Sequence, residues 1–293
     1  MKKRLFSLIA LMFAVFLLVG CTKNLELKEM KYEAQTEVTK IEIEEPNMPI
    51  EILKNKNEDN VVISYYSDDE YKLNIEMSNS SKTLTLKREE DKTAFAPVIT
   101  FQSTCKTTIY IPENYEGSID VTVANGSVKA QGITLQKLEI TASNGEVSLK
   151  NVIVKEEASI ETANGSITFD DTNIKKLNVE AANGSLNAKE SNFNDRFECK
   201  IHNGSVKFNN VEANEFDINV TNGETTLSRV ECGTLLSVKT VTGSILVELK
   251  GNELDYKTTL SANVGSVKGK TTSGNKTVNC STNVGSVEVR YLG

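Results

Sequence analysis

Apolar and polar side chains alternate with a period of two along residues 116–293, and this alternation recurs every 19 or 20 residues. Each repeat unit contains one marker glycine, and successive marker glycines lie 19, 20, 19, 20, 19, 20, 22 and 20 residues apart. The residues three and five before the glycine, and two and four after it, are mostly apolar. Alternation of this kind is typical of strands with one buried face, so the pattern predicts nine β-rich units and no helix.

Each marker glycine is predicted to lie in a turn, because Asn and Gly tolerate a positive φ and Asn hydrogen-bonds readily to its neighbours. In the first six units the glycine follows an asparagine, at Asn125-Gly126, Asn144-Gly145, Asn164-Gly165, Asn183-Gly184, Asn203-Gly204 and Asn222-Gly223. The last three units have Thr242-Gly243, Val264-Gly265 and Val284-Gly285. We interpret the six Asn-Gly pairs as structural turns, and an asparagine column at that corner need not continue through the C-terminal units.

Two architectures are compatible with this pattern. Asn-Gly between alternating apolar residues is a strong signal for a type I′ hairpin, which would give an antiparallel meander. Alternatively, each unit is one coil of a parallel β-solenoid, with equivalent residues stacked from coil to coil. A meander requires neither a fixed period nor repeated corner residues, whereas stacked coils require both. The favoured prediction is therefore an all-β fold, a parallel β-solenoid of about nine coils of 19–20 residues over residues 116–293.

Residues 36–115 contain short apolar-alternating runs that do not share the 19–20-residue period. Ile41-Glu42-Ile43, Ile50-Glu51-Ile52 and Thr108–Pro112 are examples of such runs. The exposed end of a solenoid is a sheet edge, and solenoids generally cover it with a capping element. We therefore predict that residues 36–115 form an irregular β-rich N-terminal cap.

The N-terminus resembles a bacterial lipoprotein signal. Lys2, Lys3 and Arg4 precede an apolar run that is shorter than a membrane-spanning helix requires, and residues 18–21 read Leu-Val-Gly-Cys. This lipobox-like sequence implies that residues 1–20 are a signal peptide and that Cys21 is diacylated and becomes the mature N-terminus. The alternative is an ordinary signal peptide with a chance cysteine. Residues 21–35 are polar and are predicted to be a tether.

Composition narrows the classes of function. Lys and Arg number 33 against 40 Asp and Glu, a net charge of −7. Removal of residues 1–20 takes away three basic residues and leaves 30 against 40, a net −10. Nucleic-acid binding requires clustered basic residues, so no nucleic-acid partner is expected. With His202 as the single histidine, no metal site, cofactor or catalytic residue is predicted, and Cys105, Cys199, Cys232 and Cys280 are interpreted as unpaired thiols.

Residues 36–293 resemble the bacterial family of β-strand-repeat candidate adhesins, a domain of unknown function. The resemblance rests on the Ile41/Ile43 and Ile50/Ile52 opening, the Thr108–Pro112 strand, and units such as residues 163–167, Ala-Asn-Gly-Ser-Ile. Together with the lipobox-like sequence and the missing catalytic constellation, the resemblance implies a non-catalytic binding scaffold anchored in the lipid bilayer on the extracytoplasmic face of the cell membrane, with a surface protein or a glycan as ligand. The alternatives are an envelope structural or stress-regulatory protein that binds a membrane partner, and a carbohydrate-active β-helix enzyme.

Overall fold

The structure, a computed structural model, describes residues 27–55, 59–69, 71–89 and 105–293. These residues form 22 strands and one 3-10 helix, Glu253–Asp255. Seven strands precede the repeats: β1 (Lys28–Glu33), β2 (Lys40–Glu45), β3 (Ile50–Lys54), β4 (Val62–Ser67), β5 (Leu73–Ser78), β6 (Thr83–Arg88) and β7 (Thr107–Ile111). The repeats contain β8 (Ser118–Asn125), β9 (Val128–Gln131), β10 (Thr134–Asn144), β11 (Val147–Lys150), β12 (Ile153–Asn164), β13 (Ile167–Asp170), β14 (Asn173–Asn183), β15 (Leu186–Asn203), β16 (Val206–Asn222), β17 (Thr225–Thr242), β18 (Ile245–Leu249), β19 (Tyr256–Val264), β20 (Val267–Lys268), β21 (Lys276–Val284) and β22 (Val287–Tyr291).

Each repeat unit is one coil with three sides. Face A is the strand before the marker glycine, such as residues 137–144. Face B is the strand after it, such as residues 147–150. Face C is the short stretch of strand that follows, such as residues 153–155. Equivalent residues of successive coils pair in parallel, for example Asn144 with Asn164 and Val147 with Ile167. This confirms the predicted parallel β-solenoid and excludes the hairpin meander, whose neighbouring strands would be antiparallel.

The core is the column of inward side chains inside the coils. The residues three and five before each glycine and two and four after it are buried in most coils, as the alternation predicted. Five phenylalanines fill the middle of the column: Phe169, Phe193, Phe197, Phe208 and Phe216. The ring centroids of Phe193 and Phe197 are 5.1 Å apart, and those of Phe197 and Phe208 are 5.3 Å apart in an edge-to-face arrangement. These aromatic contacts join successive central coils through their side chains.

The structure of the N-terminal end does not follow the predicted domain boundaries. Strands β2 and β3 lie directly under β8 and β9 in parallel, so residues 40–54 form a regular coil rather than an irregular cap. Beneath this coil, β6 and β7 form another parallel layer. The 19–20-residue period does not reveal these layers, because residues 55–117 separate the first coil from the repeats in the sequence.

The true cap consists of antiparallel strands that cover this lower layer. β5 pairs with β6, β4 pairs with β7, and β1 pairs with β4 as the outermost strand. The prediction of a tether over residues 21–35 is therefore wrong for residues 28–33, which are β1. That strand is mostly exposed and is joined to β4 by the backbone ladder, with Tyr32 packed against the core, so its side chains carry little strand signal.

A buried ion pair lies at this end of the solenoid. The Arg88 Nε is 2.8 Å from both carboxylate oxygens of Glu45, and both side chains are fully buried. The Arg88 guanidinium also donates to the carbonyl oxygens of Tyr66 and Tyr71 and lies 4.4 Å from the centroid of the Tyr71 ring. Burial raises the pKa of the Glu45 carboxyl above its ordinary value, and the neighbouring arginine opposes that rise.

At the C-terminal end the coils are not stacked in sequence order. The coil that contains Gly285 (β21 and β22) pairs with the coil of Gly243 (β17 and β18), and the coil of Gly265 (β19 and β20) lies on top of it. The last unit in the sequence is thus inserted beneath the one before it. Val278 and Val289 of the inserted coil are buried, whereas the equivalent positions of the outer coil are Thr258 and Gly269. The more apolar unit therefore occupies the interior layer, which buries more apolar surface.

Face A consequently contains eleven parallel strands in the order β6, β2, β8, β10, β12, β14, β15, β16, β17, β21 and β19. At ~4.8 Å per strand this stack is about 48 Å long. The fold therefore presents long faces on which outward side chains form columns along the solenoid axis.

Candidate functional site

The Asn-Gly corners between faces A and B form a continuous column. The Nδ2 of each asparagine donates to the Oδ1 of the asparagine one coil below, at 2.9–3.0 Å. This asparagine ladder consists of Asn47, Asn125, Asn144, Asn164, Asn183, Asn203 and Asn222. Asn47 was missed in the sequence because it lies between Pro46 and Met48 rather than before a glycine.

The marker glycines stack directly on one another. A Cβ atom built on Gly184 would lie 1.8 Å from the carbonyl oxygen of Gly165, and the same distance holds for Gly204 above Gly184. The φ angle of Gly184 is +156°, which side chains rarely adopt. The ladder amides bond to one another and the glycines leave no room for a side chain, so this corner holds the coils together.

A second corner, between faces B and C, has left-handed backbone at five successive non-glycine positions. Their φ angles lie between +48° and +57°, at Asn151, Asp171, Glu190, Asn210 and Arg229. Left-handed backbone is uncommon for residues other than Gly, Asn and Asp, so Glu190 and Arg229 are strained there. The sequence carries only a partial signal for this corner, because three of the five positions are Asn or Asp but Glu190 and Arg229 interrupt the series.

A groove of about 470 Å³ follows this left-handed corner across several coils, and we call it the face C groove. Its walls are polar side chains and one exposed isoleucine: Asn151, Ile153, Asp171, Asn173, Glu190, Asn192, Asn210 and Glu212. Thr172 and Ser191 form its buried floor, where the Thr172 hydroxyl donates to the Ser191 Oγ at 3.1 Å. The groove is therefore a long, open channel with a fixed polar floor.

The walls of the face C groove present more hydrogen-bond acceptors than positively charged side chains. Glu190 accepts from the Asn210 amide, and the Asn194 Nδ2 donates to the Asn173 Oδ1 at 2.7 Å. The Glu212 carboxylate lies 2.7 Å from the Lys250 ammonium, a half-exposed pair. Carboxylates and amides in columns of this kind suit a ligand with many hydroxyl or N–H donors.

The other predicted chemical residues lie apart from this groove. His202 is exposed on face A beside the asparagine ladder. Within the described ranges no group of three or more His, Cys, Asp or Glu side chains is arranged to hold a metal ion. Cys21 lies outside the described residues, as does the whole of the predicted signal peptide.

The four cysteines of the described chain are buried and form no disulfide. Burial raises the pKa of the Cys232 thiol to about 11 and that of Cys280 to about 12. Cys232 lies inside β17. Because the last coil is inserted, Cys280 lies three layers from Cys199, and that separation of about 14 Å exceeds disulfide reach.

The fold defines a class of protein, the parallel β-solenoid with one end capped by antiparallel strands. The family model described as Toastrack DUF4097 matches residues 38–290, and the chain belongs to that family. This confirms the family resemblance of the repeat region; the lipoprotein signal stays a prediction. Across the part of the chain that the structure covers, no helix has both the length and the apolar character needed to cross a membrane.

Several solved structures are similar to this chain. A candidate adhesin from Parabacteroides merdae is 16% identical over 90% of this chain and 98% of that chain, with a TM-score of 0.49. A candidate adhesin from Parabacteroides distasonis is 16% identical over 92% and 98%, with a TM-score of 0.48. A protein of the same species, described as a candidate lipid-binding protein, is 13% identical over 88% and 96%, also with a TM-score of 0.48. No curated protein matches the chain.

Proposed function

We propose that this protein is a non-catalytic binding scaffold, an adhesin anchored by lipid at Cys21 to the extracytoplasmic face of the cell membrane. The observation that carries the binding role is the face C groove, in which columns of amides and carboxylates follow the solenoid axis. A linear glycan or an extended segment of a surface protein has donors along its length that match such columns. No cofactor enters this proposal, and no residue in it is catalytic.

The position of Cys21 supports the anchored orientation. Cys21 precedes β1 by seven residues, which span at most about 25 Å when fully extended. Because β1 is the outermost strand of the capped end, the capped end would face the membrane and the solenoid would project away from it. Two or more acyl chains are needed for durable anchoring, and diacylation of Cys21 would supply them.

The binding role is tested on an array of glycans and matrix proteins with the mature chain. Asn173→Ala combined with Asn192→Ala removes two stacked amides from the groove. The matched control is Asn187→Ala combined with Asn209→Ala on face B. Retention that falls at least tenfold in the groove variant, and not in the control, supports the proposal. Equal retention by the two variants contradicts the groove as the binding site, and an array without any retained ligand contradicts the adhesin.

The anchor is tested separately in cells that express the full chain. Metabolic labelling with a palmitate analogue should mark the protein, and Cys21→Ala should abolish the label. Unchanged labelling of the variant would mean that the N-terminal sequence is an ordinary signal peptide.

A further inference from the structure

The exposed apolar side chains of this protein are concentrated at one end of the solenoid. Within the part of the chain that the structure describes, eight large apolar side chains are exposed, and six of them lie at the C-terminal end. Five are in residues 250–293, which we call the tip and which contain β19 to β22. Exposed apolar side chains gathered in one place mark an interaction surface. The six are Val241, Leu254, Val264, Val267, Val284 and Leu292.

Three of these valines lie close together at the corner between faces A and B. Val264 pairs with Val284 one layer down, and Val284 pairs with Thr242, the neighbour of Val241. In lower coils the same corner carries the asparagine ladder, whose last member, Asn222, pairs with Thr242. The corner that is polar along most of the solenoid is therefore apolar at the tip.

The hydrophobic core itself reaches the surface at Val267. This residue occupies the position two after its marker glycine, which is buried in the coils below. The equivalent Val287 one layer down is fully buried, whereas Val267 is 46% exposed. At the opposite end of the solenoid, antiparallel strands cover the last parallel layer. The core is thus covered at the capped end and partly open at the tip.

The tip also differs in charge from the rest of the mature chain. It has six basic and three acidic side chains, a net +3. Residues 21–249 have 24 basic and 37 acidic side chains, a net −13. An acidic rod therefore ends in a basic tip.

The positive charge is concentrated in the outermost coil. Residues 256–275 include three lysines and no acidic residue. Lys270 forms an ion pair with Glu253. Lys257 and Lys268 are exposed and form no ion pair with any residue that the structure describes. Two positive charges beside the exposed valines are thus available to an anionic partner.

The combination of lysines with exposed valines distinguishes between classes of partner. Protein interfaces are enriched in aromatic residues and Arg and depleted of Lys, whereas at the tip Tyr256 is buried and Tyr291 is half-buried. A soluble anionic polymer would pair with the lysines and leave the valines in water. The surface of an anionic bilayer offers phosphates to lysines and an acyl boundary to apolar side chains. An anionic bilayer therefore fits both features of the tip.

We propose that the tip is a second binding site of this protein, which docks on the surface of a bilayer that contains anionic lipid. Val264, Val267 and Val284 enter the boundary between the headgroups and the acyl chains. Lys257 and Lys268 lie near the lipid phosphates, where each lysine strengthens binding about fivefold. The face C groove is lined by residues of lower coils, so this site is separate from the ligand-binding site proposed above.

The orientation of the docked chain rests on the proposed lipid anchor at Cys21. That anchor lies at the capped end, and the tip lies at the other end of a stack about 48 Å long. One chain would then join its own membrane to a second bilayer on the order of 50 Å away. Docking of the tip itself does not require the anchor, because it uses side chains at the opposite end.

Insertion of the valines is tested with a tryptophan reporter in the mature chain with Cys21→Ala. The chain has no tryptophan, so Val264→Trp at the tip and its control Met30→Trp at the capped end each carry a single indole on an exposed strand position. With vesicles of phosphatidylcholine and phosphatidylglycerol we expect a blue shift of the fluorescence of Val264→Trp and none of Met30→Trp. Pure phosphatidylcholine should shift neither. Identical Val264→Trp spectra with and without the anionic vesicles overturn the proposal.

The same reporter identifies the other occupants of the patch. A blue shift that appears without vesicles and grows with protein concentration means that a second copy covers the valines, which overturns the proposal. Binding of soluble polyphosphate that displaces the vesicles, without an indole shift in their presence, means that the lysines take a free anion, which also overturns it.

The contribution of the lysines is measured by co-sedimentation with the anionic vesicles. Lys257→Gln combined with Lys268→Gln should weaken binding at least tenfold, because it removes two contributions of about fivefold each. The matched control is Lys129→Gln combined with Lys207→Gln, two exposed lysines of face B whose loss changes the net charge equally. The control should bind within about twofold of the parent chain, with unchanged circular dichroism in both variants. Equal weakening in the two variants means that net charge and not the tip determines binding, and it overturns the proposal.

Bridging is measured with phosphatidylcholine vesicles that carry the chain coupled through Cys21 to maleimide lipid, since the cysteines of the described chain are buried. Addition of phosphatidylglycerol vesicles should cluster the two populations, and the Lys257→Gln, Lys268→Gln variant should abolish the clustering. Tip binding without clustering contradicts the bridging orientation.

These outcomes are independent of the array of glycans and matrix proteins. Vesicle binding with an empty array rejects only the ligand-binding role of the face C groove, whereas array retention without vesicle binding rejects only this inference. Absence of palmitate labelling at Cys21 in cells rejects the bridging orientation and leaves the docking of the tip to be decided by the vesicle assays.

Discussion

Replacement of Gly184 by alanine tests the corner contact on which the stacking depends. The new Cβ would lie 1.8 Å from the Gly165 carbonyl oxygen, whereas an ordinary contact is about 3.5 Å. The two coils must separate locally by about 1.5 Å. Three bonds of 2.9–3.0 Å join them at this point: Gly165 N to Asn183 O, Ile167 N to Ser185 O, and the Asn183 to Asn164 ladder bond. Such a separation takes all three beyond hydrogen-bonding distance.

The magnitude follows from these contacts. Three hydrogen bonds at ~1 kcal/mol each contribute about 3 kcal/mol. The unfavourable positive φ of Gly184 adds about 1–2 kcal/mol for alanine. A loss of about 4–5 kcal/mol in the free energy of unfolding lowers the Tm of a chain of this size by roughly 8–20 °C. Thermal unfolding followed by circular dichroism at 218 nm (about the β-sheet minimum) measures this shift directly.

Gly132→Ala is the matched control. Gly132 also has a positive φ, +68°, but a Cβ atom there meets no other atom within 4 Å. Alanine at this position lowers the free energy of unfolding through backbone strain of about 1–2 kcal/mol, and the lower entropy of the unfolded chain partly offsets that loss. If the two variants unfold at the same temperature, the coils tolerate a side chain at the corner and the reasoning is wrong.

Three further outcomes are expected. Asn183 makes two ladder bonds and Asn222 makes one, so urea unfolding should show a loss near 2 kcal/mol for Asn183→Ala and about half of it for Asn222→Ala; equal losses would contradict an additive ladder. Arg88→Met strands the buried carboxylate of Glu45, whose pKa burial already raises, so the variant should lose about 3–5 kcal/mol at pH 7. Because a raised carboxyl pKa favours the folded state at low pH, part of that loss should return as the pH falls from 7 towards 5, and a constant difference would refute the assignment. The thiol of Cys232, with its pKa near 11, should resist iodoacetamide at pH 8 until urea unfolds the chain, and rapid native labelling found by mass spectrometry would contradict its burial.

The strand pattern and the stacking could be predicted from the sequence, because every coil of a solenoid imposes the same packing requirements on its residues. A marker glycine such as Gly184 is required wherever a coil passes above another glycine, and inward Val147 and Leu149 recur as buried columns. Each coil imposes this requirement separately, so the same residue types recur in every unit. The repetition predicts the architecture even though the pattern of a single strand is a weak signal.

The structure of the two ends and the position of the groove could not be predicted from the sequence, because the packing requirements there do not recur from coil to coil. β1 has no fully buried side chain and is held by backbone pairing with β4, so its sequence predicts a tether rather than a strand. The left-handed conformation of Glu190 is not indicated by its residue type, because left-handed backbone is favoured by Gly, Asn and Asp. The order of the last two coils depends on which unit buries more apolar surface, a comparison between Val289 and Gly269 that periodicity does not make.

The inserted last coil also has a mechanical consequence. In a solenoid stacked in sequence order, tension on the C-terminus would peel the last coil from one neighbour, bond by bond. Here β21 and β22 are bonded on both sides, to β17 and β18 below and to β19 and β20 above. A pull on the C-terminus must therefore break the hydrogen bonds of two ladders at once. The outer coil thus strengthens the attachment of β22, the strand to which the force is applied.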